Sequence, residues 1–219
     1  MERWATYDCY GTLVDWNAGI RAQLGRLVGG DGERLLARYH ELEPQVQARQ
    51  PGTRYRDVMA QVLAEIAAEE GAEVPAEERD ALGASLPDWP VFPEVPGALA
   101  ELRERGWKLA ILSNSDPDLI AASIERIGVP FELAITASEI GSYKPAHRHW
   151  EEFRARTEAA PEGHVHVAQS HFHDIVPANE LGLRSVWINR LGETAEPPPT
   201  RELLDLNGLA DTLDELAPA

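Results

Sequence analysis

Ala98-Leu99-Ala100-Glu101-Leu102-Arg103-Glu104-Arg105-Gly106-Trp107-Lys108-Leu109-Ala110-Ile111-Leu112-Ser113-Asn114 holds one full unit of the architecture. Ala98 to Arg105 reads as a helix, Gly106 as its stop, and Lys108 to Leu112 as a short apolar strand. The same rhythm continues downstream. Leu119 to Ile127 is helical, Gly128 stops it, and Glu132 to Thr136 is a strand. A helix from about His147 to Glu158 leads to the strand His164 to Ala168; Pro177 to Leu181 is helical, Gly182 stops it, and Ser185 to Ile188 is a strand. Helix, glycine stop and strand in alternation predict a parallel sheet with helices on both faces, a Rossmann-like α/β core. Glu193 to Thr200, with three consecutive prolines, reads as a loop before a short C-terminal helix.

Upstream the pattern changes. Trp4-Ala5-Thr6-Tyr7 reads as a buried strand, and after Asp15 the chain turns helical. Leu35, Tyr39 and Leu42 keep one helical face, and Val58, Val62 and Ile66 keep another beside Met59 and Leu63. A further helix is expected over Pro75 to Ser85, with Pro75 near its start. Leu86 to Gly97 contains Pro87, Pro90, Pro93 and Pro96 and reads as a stiff, irregular linker. The expected organisation is a core made of residues 1–14 and 91–219, with a helical cap and linker, 15–90, inserted after the first strand.

A chain of 219 residues with 20 basic against 37 acidic residues carries a net charge of −17. That balance excludes nucleic acid and anionic membrane as partners, because both need a basic footprint. An anionic substrate would then depend on a few local cations. Cys9 is the only cysteine, which rules out an intrachain disulfide and points to the cytosol. No apolar run approaches the length of a signal or membrane helix. Only Lys108 and Lys144 are lysines in a chain that otherwise uses arginine. The oligomeric state is open, a homodimer included.

Ligands of open parallel sheets bind beyond the carboxyl ends of the strands. The residues to read are therefore Asp8 to Thr12, Ser113 to Asp116, Ser138 to Pro145 and Gln169 to Asp174. Asp8, at a strand end before the Gly11-Thr12 turn, is a candidate carboxylate nucleophile; on its own it would equally be a turn-capping Asp. Ser113 and Asn114 can hold an anion or cap the helix that starts at Asp116-Pro117. Lys144 is kept in extended backbone by Pro145 and can pair with Asp8. Asp174 can pair with Lys144 and orient water, or act as a helix N-terminal acid. His164 with His166, and His171 with His173, are alternate or near-alternate pairs without the carboxylate or cysteine company of a strong metal motif. His171 and His173 read instead as pocket-lining donors. Arg38 sits at the edge of an apolar helical face, from which it can reach into the cleft or lie along the surface. Trp16, Trp89 and Trp150 are candidate pocket walls or simply core.

Asp8-x-Tyr10-Gly11-Thr12-Leu13-x-Asp15, Ser113-Asn114, Lys144-Pro145 and the Asp174 cluster, in that order, resemble the haloacid dehalogenase superfamily over essentially the whole chain. Asp-x-Tyr at the start, Tyr143-Lys144-Pro145, and Val186-Trp187-Ile188-Asn189-Arg190 resemble its L-2-haloacid dehalogenase branch. The resemblance implies that Asp8 displaces halide from carbon, that water then opens the ester, and that no metal or other cofactor takes part. It implies Thr12 orienting Asp8, Ser113 and Lys144 holding the substrate carboxylate and Asp8, Asn114 and Arg38 receiving the halide, and Asp174 supporting the hydrolytic water. The chain departs from the branch at Gln169-Ser170-His171-Phe172-His173-Asp174, and Trp150 stands where the branch has a tyrosine.

The superfamily's phosphatases share the first Asp, so the leaving group must be argued chemically. Phosphoryl transfer needs Mg²⁺ and an acid for the leaving alkoxide. The carboxylates that serve those needs are replaced here by Tyr10 and Gln169, and neither is an anionic ligand for a hard cation. Halide leaves without a proton. The expected activity is metal-independent hydrolysis of short 2-haloacids, with a hydrolase of the same superfamily acting on another substrate (a weak phosphatase), or a non-catalytic anion-binding relative, as the alternatives.

Overall fold

The computed structural model describes residues 2–50 and 52–219. Six strands among them form one parallel sheet in the order β3-β2-β1-β4-β5-β6. The strands are β1 (Arg3–Tyr7), β2 (Trp107–Ser113), β3 (Leu133–Thr136), β4 (His164–Ala168), β5 (Arg184–Ile188) and β6 (Arg201–Leu203). Every residue of β1 is buried, as expected of a central strand covered on both faces. Ala5 and Tyr7 pack with Leu109, Val165, Val167 and Val186 on one face. Trp4 points to the other, against Ala110, Leu112, Trp150 and Phe153.

The helices are α1 (Trp16–Leu27), α2 (Gly32–Arg49), α3 (Tyr55–Glu70), α4 (Ala81–Ser85), α5 (Val95–Glu104), α6 (Pro117–Ile127), α7 (Ala137–Ile140), α8 (Arg148–Thr157), α9 (Val176–Glu180) and α10 (Leu209–Leu216). α1 to α4 follow β1 and pack on one another through Ile20, Leu24, Leu35, Tyr39, Leu42, Val58, Val62 and Ile66. This helical layer is tied to the sheet end by the buried Asp116, whose carboxylate accepts from the backbone N–H groups of Tyr55 and Arg56 at 3.0 and 3.1 Å, capping α3 from outside it. At Gly19 the layer closes tightly: a Cβ there would lie 2.2 Å from the Trp89 ring.

Three local expectations change. The single helix over Pro75 to Ser85 is instead a 3₁₀ turn, Ala76–Glu78, followed by the short α4. The proline-rich linker is partly regular, because Pro96 sits in the first turn of α5, where its missing N–H is no loss. The stretch after the Pro197-Pro198-Pro199 loop carries β6, a three-residue edge strand too short and exposed to show alternation.

β1 has β2 on one side and β4 on the other, so the strand order reverses at its carboxyl end. That end is the topological switch point of the sheet, the place where such folds open a crevice.

Candidate active site

Asp8 follows the last residue of β1, and its backbone N–H donates to the Val167 carbonyl at 3.1 Å, so the carboxylate is anchored between β1 and β4. Thr12 reaches back across the turn and donates to Asp8 Oδ2 at 3.1 Å, while its oxygen accepts from the Gln169 N–H at 2.9 Å. The turn needs glycine at position 11: φ is +88°, and a Cβ would meet the Gln169 side-chain oxygen at 3.1 Å. Gln169 is therefore held against the Asp8 turn.

Lys144 arrives from the loop after α7 and is buried. Its ammonium spends all three donors, on Asp8 Oδ1 at 2.9 Å, Asp174 Oδ1 at 2.7 Å and the Leu112 carbonyl at 2.8 Å. Burial works against that charge, but Asp174 and Asp8 outweigh it and hold the lysine above its usual pKa. Two carboxylates compete for one ammonium. Asp174 gains more from it: burial opposes its ionisation, but Lys144 and His166 bring it down to about 2. Asp8 is pushed up instead, by burial and by the neighbouring Asp174, against the pull of Lys144.

These groups open into a cleft of about 460 Å³ between the sheet end and the helical layer. Of the residues singled out in the sequence, Asp8, Tyr10, Trp16, Ser113, Asn114, Lys144, Gln169, His173 and Asp174 line it, and Thr12 stands behind Asp8. Asn114 is already employed. Its amide donates to the Lys144 carbonyl at 2.9 Å and accepts from the Lys144 N–H at 2.6 Å, fixing the lysine backbone. Tyr10 presents its ring to the cleft, stacked on Tyr55, while its hydroxyl pairs with Ser123 Oγ at 3.1 Å. His173 is buried enough that its pKa falls to about 4, and its Nδ1 lies 3.0 Å from Ser170 Oγ.

Three expected members lie elsewhere. Arg38 is on the outer side of the α2–α3 pair, bound to Glu69 at 2.6 and 2.8 Å and to Glu41 at 2.7 Å. The cleft face of α2 carries His40, Glu43, Pro44 and Gln47; two residues along a helix is roughly 200° of rotation, which turns Arg38 away. Trp150 is in the core on the far side of the sheet, edge-on to His166 at 5.2 Å, and touches no part of the cleft. His171 is turned outward by the wide π-helical turn His171–Ile175; its Nε2–H donates to the Pro197 carbonyl at 2.9 Å and its ring leans on Trp187.

Residues not picked out as site members fill those places. Arg190 lines the cleft, stacked over Phe92 at 3.7 Å, with its guanidinium on the Thr12 carbonyl at 2.9 Å and on Glu94. Arg21, His40, Glu43 and Gln47 enter from the helical layer. Position 190 had a signal, since it directly follows the β5 strand and its flanking Asn189. The others had none until the rotations of α1, which carries Arg21, and of α2 were known.

The site is thus a carboxylate–ammonium–carboxylate cluster at the switch point of a parallel α/β sheet, with helices α1 and α2 lining the other wall of the cleft. A family model described as haloacid dehalogenase-like hydrolase matches residues 3–181, and the chain belongs to that family. It is 26% identical over 220 residues to (S)-2-haloacid dehalogenase from Pseudomonas sp. strain YL, covering 96% of this chain and 94% of that protein. It is 32% identical over 117 residues to phosphoserine phosphatase from Thermus thermophilus, a match covering 52% of this chain and only about half (47%) of that relative. The solved structure of L-2-haloacid dehalogenase from Xanthobacter autotrophicus with chloropropionic acid covalently bound has the same fold, with a TM-score of 0.85 at 19% identity over 97% of this chain and 98% of that one.

Proposed function

We propose that this hydrolase releases halide from short 2-haloacids through an ester on Asp8. Residues 15–90 act as the cap over a core of 1–14 and 91–219. The observation that carries the reading is the direction of the Tyr10 hydroxyl. It is engaged with Ser123, and burial holds its pKa well above the ordinary tyrosine value, so the position that would protonate an alkoxide offers no proton to the leaving atom. Halide needs none. Full-length likeness to a 2-haloacid dehalogenase supports the same choice.

The superfamily's phosphatases draw on Mg²⁺ to screen the transferred group, and the donors present here do not fit such an ion. Asp8 and Asp174 converge on the same ammonium, and Tyr10 and Gln169 add no anionic oxygen. Among the described residues no three His, Cys, Asp or Glu side chains gather into a metal-holding group.

In the first step an Asp8 oxygen attacks C2 of the haloacid, and the electron pair of the carbon–halogen bond leaves with the halide. Ser113 holds the substrate carboxylate while the Lys144 ammonium holds Asp8, and Arg190, paired with Glu94, brings a further cation to the cleft wall. Arg38 has no part. In the second step water adds to the Asp8 ester carbonyl and passes one proton toward Asp174. The carbonyl–alkoxide bond breaks, the leaving alkoxide takes the second water proton to give the 2-hydroxyacid, the Asp8 carboxylate is restored, and the proton on Asp174 is released. The net reaction yields one halide and one proton per turnover.

The test is halide release across 2-chloropropionate, chloroacetate and fluoroacetate in EDTA. Halide from at least one of them, abolished in Asp8→Asn, is the expected result. Mg²⁺-dependent phosphate release with no halide would overturn the reading.

A further inference from the structure

Behind Asp174 a line of buried polar side chains crosses the sheet, and the steps above use none of it. In the parallel register Trp4 pairs with His164 and Thr6 with His166, so the Thr6 hydroxyl stands between the two imidazoles on one face. Thr6 Oγ1 is 2.8 Å from His164 Nε2 and 2.8 Å from His166 Nδ1. His166 Nε2 is 2.9 Å from Asp174 Oδ1. Thr6 and His166 are fully buried, with Trp150 edge-on to the His166 ring. Three polar groups are costly to place in such a core unless each contact is satisfied.

The hydrogen positions follow from the acceptor at one end. An ionised carboxylate only accepts, so His166 Nε2 carries a proton and donates it to Asp174. In the neutral ring Nδ1 is then an acceptor, filled by the Thr6 hydroxyl. The Thr6 oxygen is in turn filled by His164 Nε2–H, whose ring is kept neutral by burial, with its pKa lowered to about 3. Every donor in the line points toward Asp174.

At Asp174 the consequence is an asymmetric carboxylate. Oδ1 takes both Lys144 and His166, while Oδ2 is buried without any hydrogen-bond partner in a residue that lines the cleft. We propose that His166, held by Thr6 and His164, is a positioning residue that fixes Asp174 so that its second oxygen is kept for the hydrolytic water. The inference rests on the two-step reading above and concerns only its second step.

The test separates the steps. His166→Phe keeps the ring volume and removes the donor; His166→Gln puts an amide N–H near the place of Nε2. In single turnover with a haloacid, His166→Phe is expected to form the Asp8 ester at the wild-type rate within about twofold and to hydrolyse it about 10–100-fold more slowly, the range for loss of a hydrogen bond to a charged group. The ester then accumulates and is seen by intact-mass spectrometry; His166→Gln is expected to recover most of the loss. Thr6→Val, nearly isosteric, is expected to slow the same step by a smaller factor and serves if His166→Phe fails to fold. Equal slowing of both steps, or a folded variant with no accumulated ester, overturns the proposal. A second arm needs no turnover: ¹⁵N-resolved imidazole spectra should show the His166 proton on Nε2, with its resonance displaced in Asp174→Asn, and a proton on Nδ1 alone overturns the proposal. Absence of halide from wild type would sink the two-step reading, and the spectra would then decide the His166 contact on their own.

Discussion

Lys144 Nζ lies 2.9 Å from Asp8 Oδ1, in a pair whose lysine side chain is 1% exposed. The same ammonium holds Asp174 at 2.7 Å, so it is the one positive charge shared by two buried carboxylates. Lys144→Met removes it and leaves both uncompensated. Breaking a buried pair in this way costs roughly 3–5 kcal/mol. In the native variant both carboxyls then have raised pKa values, whereas in the unfolded chain they ionise near their ordinary values. Stability therefore falls as pH rises through the ordinary carboxylate range and is partly recovered in acid. Thermal melts between pH 4 and 8 check this: the Lys144→Met deficit should grow with pH. Halide release should be lost at every pH.

Tyr10→Phe separates two roles for the same side chain. A proton donor to the leaving group would be missed in kcat and would reshape the alkaline limb of the pH profile. A hydroxyl bound to Ser123 Oγ at 3.1 Å would cost stability alone, about 1 kcal/mol for a neutral hydrogen bond. The expected result is halide release within about threefold of wild type and an unchanged pH profile, with a small drop in melting temperature.

The strand ends were readable because the alternation of helix, glycine and strand locates them; Asp8 directly follows β1 and Asp174 lies in the turn after β4, while Lys144 comes from the loop beyond α7. Arg38 shows what the sequence lacks. Its neighbours Leu35 and Leu42 mark an apolar face, but which flank of that face looks down on Asp8 depends on how α2 settles against α1 and α3. Glu43 and Gln47 were hidden for the same reason. His164 and His166 were correctly put on one face of a strand. What fills the space between them is Thr6, and that follows from the β1–β4 register, which no local pattern encodes. Trp150 lies on the buried face of α8 with Phe153, and it is the docking of that helix on the sheet, not its distance from Lys144-Pro145, that sends the ring into the core.

Glu43 gives the cleft a pH dependence of its own. Burial pushes its carboxyl up to about 7, with the Tyr55 hydroxyl opposing and Asp8 adding to the rise. Above pH 7 it brings another negative charge to a cleft that must accept an anion, so KM for a haloacid should climb through that region. Between its ordinary value of 4.5 and about 7 the folded protein holds a proton that the unfolded chain has released. Stability from this group is therefore complete below 4.5 and is lost as pH rises through 7. Glu43→Gln should flatten the KM profile and raise stability above pH 7 by no more than about 3 kcal/mol, the upper bound set by the size of the shift. Melts and KM measured at pH 6 and pH 8.5 are the check; a KM that rises equally in the variant would exonerate Glu43.

Arg38 and Arg190 make opposite predictions from the same chemistry. The Arg38 guanidinium is bound to Glu69 and Glu41 on a partly exposed surface, where ion pairs compete with water and salt. Arg38→Ala should leave halide release within about twofold of wild type. Arg190 is nearly buried, stacked on Phe92, and joins the Thr12 carbonyl to Glu94 at the cleft wall. Arg190→Met keeps part of the stacking but strands the Glu94 carboxylate and frees the turn that carries Thr12, whose hydroxyl steadies Asp8. An unsatisfied buried acceptor costs about 1–3 kcal/mol, and more when it is charged. Arg190→Met should therefore lower both melting temperature and turnover, with KM for the anionic substrate rising as well. Assaying the two variants side by side decides which arginine the substrate meets. A large loss in Arg38→Ala with none in Arg190→Met would mean that the helical layer rearranges before the chemistry begins.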